Sequence, residues 1–266
     1  MLQLIQQAIL LIGTATGAVT DAKTGYIYDW ITYPMIALGA ILAITQQQWI
    51  NLELGVVVFG LLYLAYKFGK LGGGDVKLFT AIALLNPTNN PMYFFTIMFF
   101  AAISATIFYS VYYTSKYLRS GGEIKENKNG IIKAIVLGAV IVIYFTLLST
   151  YQMISVESAI LLATPLMFGI MFIAFQEGIR KKFFEAKITI GKLEEDEVIA
   201  EGRNNNKIMK IMGNKQLIGE KEKTLLKKAG VKAIYVLRKL PPFAPFILVG
   251  VIGAIAYPDF LFFIFI

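Results

Sequence analysis

Two aspartates stand at the ends of apolar runs. Asp21 follows the run 2–20, and Asp75 follows Gly72-Gly73-Gly74 and precedes Val76-Lys77-Leu78-Phe79. A carboxylate at the edge of a membrane segment is costly, and one kept there usually has a task or a partner. Glycine carries no Cβ, so the stretch before Asp75 lets another backbone lie beside the acid. Taken alone, Asp75 also reads as the acidic end of a glycine turn, capping the helix that follows. Asp21 in an equivalent place makes the two a chemical pair. Two carboxyl groups in one low-dielectric site cannot both ionise easily, so they share a proton near neutral pH. The ionised one can take a proton from water while the protonated one donates to a peptide carbonyl. That is aspartic peptidase chemistry. Lys23 and Lys77, close in sequence to each acid, are candidates for tuning the pair or for facing lipid phosphates.

The composition narrows the alternatives. The 266 residues include no histidine and no cysteine. Ser-His and Cys-His catalysis, histidine-ligated zinc, thiolate metal sites and disulfides are therefore excluded. Acid–base work falls on Asp, Glu, Lys or Tyr, and no metal or other cofactor is expected. The chain is 57% hydrophobic and 16% charged, against about 25% charged in an average soluble domain. Long apolar runs replace amphipathic periodicity, so the expected class is an all-α polytopic membrane protein. The net charge of +8 needs no nucleic acid, because basic residues collect on the cytoplasmic side of membrane proteins.

Eight apolar segments are expected: 2–20, 30–45, 52–66, 76–85, 92–113, 131–148, 156–175 and 246–266. The first has no basic flank and no small-residue cleavage site, so it is not expected to be a removable signal peptide. The fourth is short, about 15–18 Å at 1.5 Å per residue, and is expected to cross a thinned region or to be completed inside protein. Asp29 is expected to cap the second segment. The eighth is entered through Pro241-Pro242-Phe243-Ala244-Pro245. Residues 1–175 are thus expected to hold the membrane core and residues 241–266 a last membrane helix. Between them, residues 176–240 read as a small α+β domain. Its strands are expected at 187–190, 197–200 and 231–236, and a helix at 219–230.

With the N-terminus outside, all 25 Lys and Arg fall in the inside loops or at the membrane ends beside them. The outside loops 46–51, 86–91 and 150–155 contain none. This positive-inside asymmetry supports eight crossings and puts Asp21, Asp75 and the 176–240 domain on the cytoplasmic side.

At this point the residues resemble a known family. Gly72-Gly73-Gly74-Asp75-Val76-Lys77 is similar to the GxGD motif of the type IV prepilin and preflagellin (prearchaellin) peptidases. Asp21-Ala22-Lys23 to Ile27, followed by Asp29-Trp30-Ile31-Thr32, resembles the family's first-aspartate segment. Pro242-Phe243-Ala244-Pro245-Phe246 resembles its entry to the last span. The resemblance implies an aspartic endopeptidase of the plasma membrane with Asp21 and Asp75 as its dyad. It implies Gly72, Gly73 and Gly74 as the place where substrate backbone approaches. Its substrates would be pilin-like or archaellin precursors, cut behind short basic leaders at the cytoplasmic face. The archaeal branch looks closer, because the cysteine-rich zinc segment of many bacterial members is missing and methyl transfer is not carried over.

Two other readings compete. Presenilin-type proteases pair a GxGD aspartate with a Tyr-Asp motif, which Tyr28-Asp29 supplies only superficially. Their first aspartate lies inside a span, and they carry a late Pro-Ala-Leu motif. Neither feature is expected here. A cation-coupled transporter or channel subunit would use the same carboxylates with Glu53, Glu157 and Asp259, and it should show internal repeats. No convincing repeat is present.

Overall fold

The computed structural model describes residues 2–69, 71–193, 197–200, 202–213, 217–237 and 241–264. Its first half is helical: α1 (Leu2–Thr24), α2 (Asp29–Thr45), α3 (Trp49–Lys67), α4 (Gly73–Leu84) and α5 (Pro91–Arg119). Then come α6 (Lys128–Thr150) and α7 (Val156–Ile179), which runs on as a π-helical turn to Phe184. A small mixed unit follows: β1 (Glu185–Thr189), β2 (Glu197–Ile199), α8 (Asn206–Met212), β3 (Leu217–Ile218), α9 (Glu220–Lys228) and β4 (Ala233–Leu237). The chain closes with α10 (Ala244–Ala256) and α11 (Phe260–Ile264).

All eight apolar segments are helical over most of their length among the described residues. Among the described residues, five helical stretches are long and apolar enough to cross a membrane: α1, α3, α5, Ile124–Thr150 and Val156–Phe184. The chain is a multi-pass membrane protein. Helices α2 and α10 are apolar but shorter. The last segment does not run unbroken to the end of the chain as expected. Pro258 disfavours helical geometry at the residue before it, and Tyr257 turns to φ −136° and ψ 69°, which stops α10.

Two of the short helices are the best covered. In α4, Val76 and every residue from Leu78 to Leu84 are buried. It packs against α2 and α3 and touches α1 and α5, while α10 lies between α1 and α5. A helix enclosed by protein on all sides has no need of full bilayer length, because its backbone ends meet protein groups rather than lipid. At the end of the bundle away from Asp75, those groups are amides. Asn51 Nδ2 donates to the Asn86 carbonyl at 2.7 Å and to Gln48 Oε1 at 3.0 Å, and Gln6 Nε2 donates to the same Gln48 oxygen at 2.9 Å. This buried network ties together α1, α3 and the loop after α4.

Helices α6 and α7 pack on each other, and α7 packs on α5. Their outer faces are apolar and exposed, as suits lipid contact. The mixed unit is an antiparallel sheet of order β1-β4-β2-β3. Its core joins Ile188, Ile199, Ile218 and Val236 of the strands to Ile208 of α8 and Leu226 of α9. Sequence reasoning finds three of these strands and α9 but misses α8 and β3. Helix α8 has only seven residues, and β3 only two. Elements that short show no readable period.

The fit of α10 against α5 is close. A Cβ on Gly250 would stand 2.2 Å from the Ile97 carbonyl oxygen, whereas one on Gly60 of α3 would meet nothing within 4 Å. Gly250→Ala is expected to cost roughly 1–3 kcal/mol through overpacking. Gly60→Ala should be neutral or slightly stabilising. Thermal unfolding of both variants in detergent checks the contrast.

Candidate active site

Helix α1 ends where Gly25 takes a φ of +75°, and the Gly25 N–H returns to the Asp21 carbonyl at 2.8 Å. Asp21 therefore lies in the last turn of α1, not in a polar link after it as the hydropathy suggests. Hydropathy falls after Thr20, but nothing at Ala22, Lys23 or Thr24 breaks a helix. The Asp21 side chain is buried, with the residue 8% exposed.

Its partner comes from the far end of the chain. Asp21 Oδ2 accepts the Ala244 N–H at 2.9 Å, across 223 positions of sequence, and the Phe243 N–H is also directed to the carboxylate. These amides open α10, with Phe243 as its N-cap. The first N–H groups of a helix have no intrahelical acceptor, and Asp21 supplies one. Pro245, in the first turn, has no N–H to leave unpaired. The approach to α10 is fixed in turn by the Tyr109 hydroxyl of α5, which donates to the Pro242 carbonyl.

Asp75 is the third residue of α4, whose N-cap is Gly72. Its carboxylate accepts the Gly72 N–H, so the local capping role foreseen for it is realised. It does more than cap, because it also lies within electrostatic reach of Asp21. The structure thus brings the two acids to one end of the bundle, between the last turn of α1 and the first turns of α4 and α10.

The three glycines have different surroundings. A Cβ on Gly72 would come 3.0 Å from Asp75 Oδ2. One on Gly74 would stand 2.9 Å from the Ile27 Cβ and 3.1 Å from the Ile27 carbonyl oxygen. The close backbone approach at Gly74 is thus made by the α1–α2 link of the chain itself. Gly73 faces the Tyr66 ring at 3.5 Å, and Gly72 alone of the three is exposed.

The two lysines point elsewhere. Lys77 Nζ is bonded to Asp29 Oδ1 at 2.5 Å and lies 4.8 Å from the centre of the Tyr33 ring. Lys23 is exposed. Asp29 is not the N-cap of α2, as its position before an apolar run suggests. It is the first helical residue, Tyr28 holds the cap position without a side-chain bond, and the Asp29 carboxylate is engaged by Lys77. Among the described residues, no group of three or more acids could hold a metal ion. Sequence reasoning missed the amides of Phe243 and Ala244 and the hydroxyl of Tyr109. The Pro-Phe-Ala-Pro stretch was a visible signal, but it marked only a span entry and said nothing of Asp21.

Residues 8–110 match the type IV leader peptidase family. The interval contains Asp21, Gly72, Gly73, Gly74, Asp75 and Tyr109. A curated relative, the prepilin peptidase EppA of Methanothermobacter thermautotrophicus, is 30% identical over 95 residues. That alignment covers 33% of this chain and 25% of the relative, so the chain spans about a quarter of the length of the protein it matches. No solved structure matches the chain.

If Asp21 caps α10, Asp21→Ala is expected to lower stability by about 1–2 kcal/mol. Asp21→Asn, which keeps an acceptor oxygen, should lose less. Thermal unfolding in detergent reads the difference, and an Asp21→Ala variant as stable as the unaltered protein would show that α10 does not depend on this side chain.

Proposed function

We infer from the family match over residues 8–110, together with the meeting of Asp21 and Asp75 inside it, that these two acids are the catalytic dyad of a membrane aspartic endopeptidase. The observation that carries the reading is geometric: Asp21 in the last turn of α1 and Asp75 in the first turn of α4 stand at one end of the bundle, each bonded to the amides of a helix start. One carboxyl in its ionised form takes a proton from water. The hydroxyl so formed attacks the scissile carbonyl carbon, while the other carboxyl, protonated, donates to the carbonyl oxygen. Collapse of the tetrahedral species returns a proton to the leaving amine and resets the pair. Exposed Gly72, with no side chain beside the Asp75 carboxylate, is the place for substrate backbone.

The substrates are short-leader precursors of the pilin or archaellin kind. The similarity to an archaeal prepilin peptidase supports that class. Sidedness follows from charge. The ends of α1, α3 and α5 nearest the dyad carry Lys23, Lys67, Lys116 and Arg119 in their last turns. The positive-inside rule then puts the dyad and the mixed unit on the cytoplasmic side, where a leader peptide is still attached to its unexported precursor.

Incubating the purified protein in lipid with a pilin-like and an archaellin-like precursor should yield a product shortened by the leader. Asp21→Asn and Asp75→Asn should each reduce cleavage by at least about a hundredfold while leaving membrane insertion and folding intact. Full cleavage by either variant removes that acid from the chemistry.

A further inference from the structure

A cavity of about 320 Å³ lies between α5, α7 and the approach to α10. Two of its walls belong to the site already described. The Tyr109 hydroxyl holds the Pro242 carbonyl, and Tyr109 lies within electrostatic reach of Asp21. The Phe243 amide is directed to the Asp21 carboxylate, and the Phe243 ring packs 6.2 Å from Phe79, one turn along α4 from Asp75. The remaining wall comes from outside the interval that matches the peptidase family. Gly169 and Phe172 of α7, with Phe184 at the end of its π-helical turn, line the cavity together with Tyr109 and Tyr113 of α5. Phe184 stands edge-on to Tyr113 at 4.8 Å, which locks α7 to α5 at this level.

We propose that this cavity is a subsite for one bulky apolar side chain of the polypeptide cut at the Asp21–Asp75 pair, and that α7 is the element that sets its size. The proposal rests on the peptidase reading and adds to it a binding site and the helix that shapes it. Three observations favour such an occupant. The lining is mainly aromatic, from Tyr109, Tyr113, Phe172, Phe184 and Phe243, with Thr106 and Ser110 as its small hydroxyl residues. A dry cavity of roughly 150 Å³ accepts a benzene ring, so this one has room for an aromatic or large aliphatic side chain. The cavity also shares Phe243 with the dyad, so a side chain inside it belongs to a residue next to or near the bond being cut.

The geometry offers variants that change the volume from one wall. A Cβ on Gly169 meets only the Thr106 Cγ2, at 3.5 Å, so a side chain can start there in ordinary contact with a side chain rather than against the backbone of a neighbouring helix. Gly169→Leu fills the cavity, and Phe172→Ala enlarges it. Both positions lie outside the dyad and its hydrogen-bond partners.

The test compares kcat/KM for two series of otherwise identical precursors in the lipid-embedded full chain. In one series the residue before the cut is Ala, Leu or Phe, and in the other the residue after it. The unaltered protein should favour the bulky residue in one of the two series. Gly169→Leu should reduce that preference by about tenfold or more, the scale at which apolar pockets discriminate size, while cleavage of the Ala precursor holds. Phe172→Ala should move the preference toward the larger residue. A preference that both variants leave unmoved, or the lack of any size preference in the unaltered protein while cleavage proceeds, would overturn the subsite and leave the peptidase reading standing. Failure to cut any precursor would overturn the peptidase reading, and the subsite with it. Thermal unfolding of each variant separates a filled cavity from a misfolded helix. A variant that unfolds early and loses the Ala precursor equally counts against α7 as a wall of fixed shape.

Discussion

The bond from the first amides of α10 to the carboxylate of Asp21 is the constraint on which the rest of the membrane core depends. It joins residue 21 to residue 244 at 2.9 Å and so places the last apolar helix against the first. Buried helix-end amides without an acceptor are costly, and a hydrogen bond to a charged group contributes roughly 1.5–3 kcal/mol. Whatever moves α10 also moves the acid. The Gly250 contact with Ile97 and the Tyr109 bond to Pro242 are therefore part of the site, although neither touches Asp75. Local packing of α5 against α10 and the position of the Asp21 carboxylate are one problem in this fold.

A common pattern runs through the two acids. Each carboxylate lies at the N-terminus of a short helix held inside the bundle, Asp21 at α10 and Asp75 at α4. Helix N-termini present unpaired N–H groups and a partial positive charge. Two carboxyl groups can thus be brought together at one end of the bundle, each with its own amide partner. The shortness of α4 and α10 has a role here, because a helix that begins within the bundle brings its N-terminus to a buried acid. Longer helices starting at the membrane surface would leave those amides in water.

The apolar segments, the glycine–aspartate stretch and the equivalence of Asp21 and Asp75 are legible in the amino-acid order, because hydropathy and glycine are local signals. What escaped depends on distant parts of the chain. The end of α1 is set by Gly25, four residues beyond the acid, whereas hydropathy changes at Thr20. Lys77 reads as a neighbour of Asp75, yet on a helix the lysine two positions on points to another face and finds Asp29. The glycines before Asp75 read as room for a substrate, yet at Gly74 the room is taken by Ile27 of the same chain. The last segment is broken between α10 and α11 at Pro258, a breaker that apolar neighbours outweighed in a hydropathy reading. The amides of Phe243 and Ala244 carry no side-chain signal, so a reading of residue types could not find them.

The central claim is that Asp21 and Asp75 are neighbours at one end of the bundle. Because the chain has no cysteine, it can be tested with spin labels on a Lys23→Cys, Gly72→Cys double variant in lipid, which labels an exposed residue near each acid and leaves both carboxylates in place. The account predicts strong dipolar broadening, the mark of labels within about 10–15 Å once their flexible tethers are allowed for, at a distance over which two charges still interact. Labels that behave as isolated spins, separated by something near the roughly 30 Å thickness of the hydrocarbon, would contradict it.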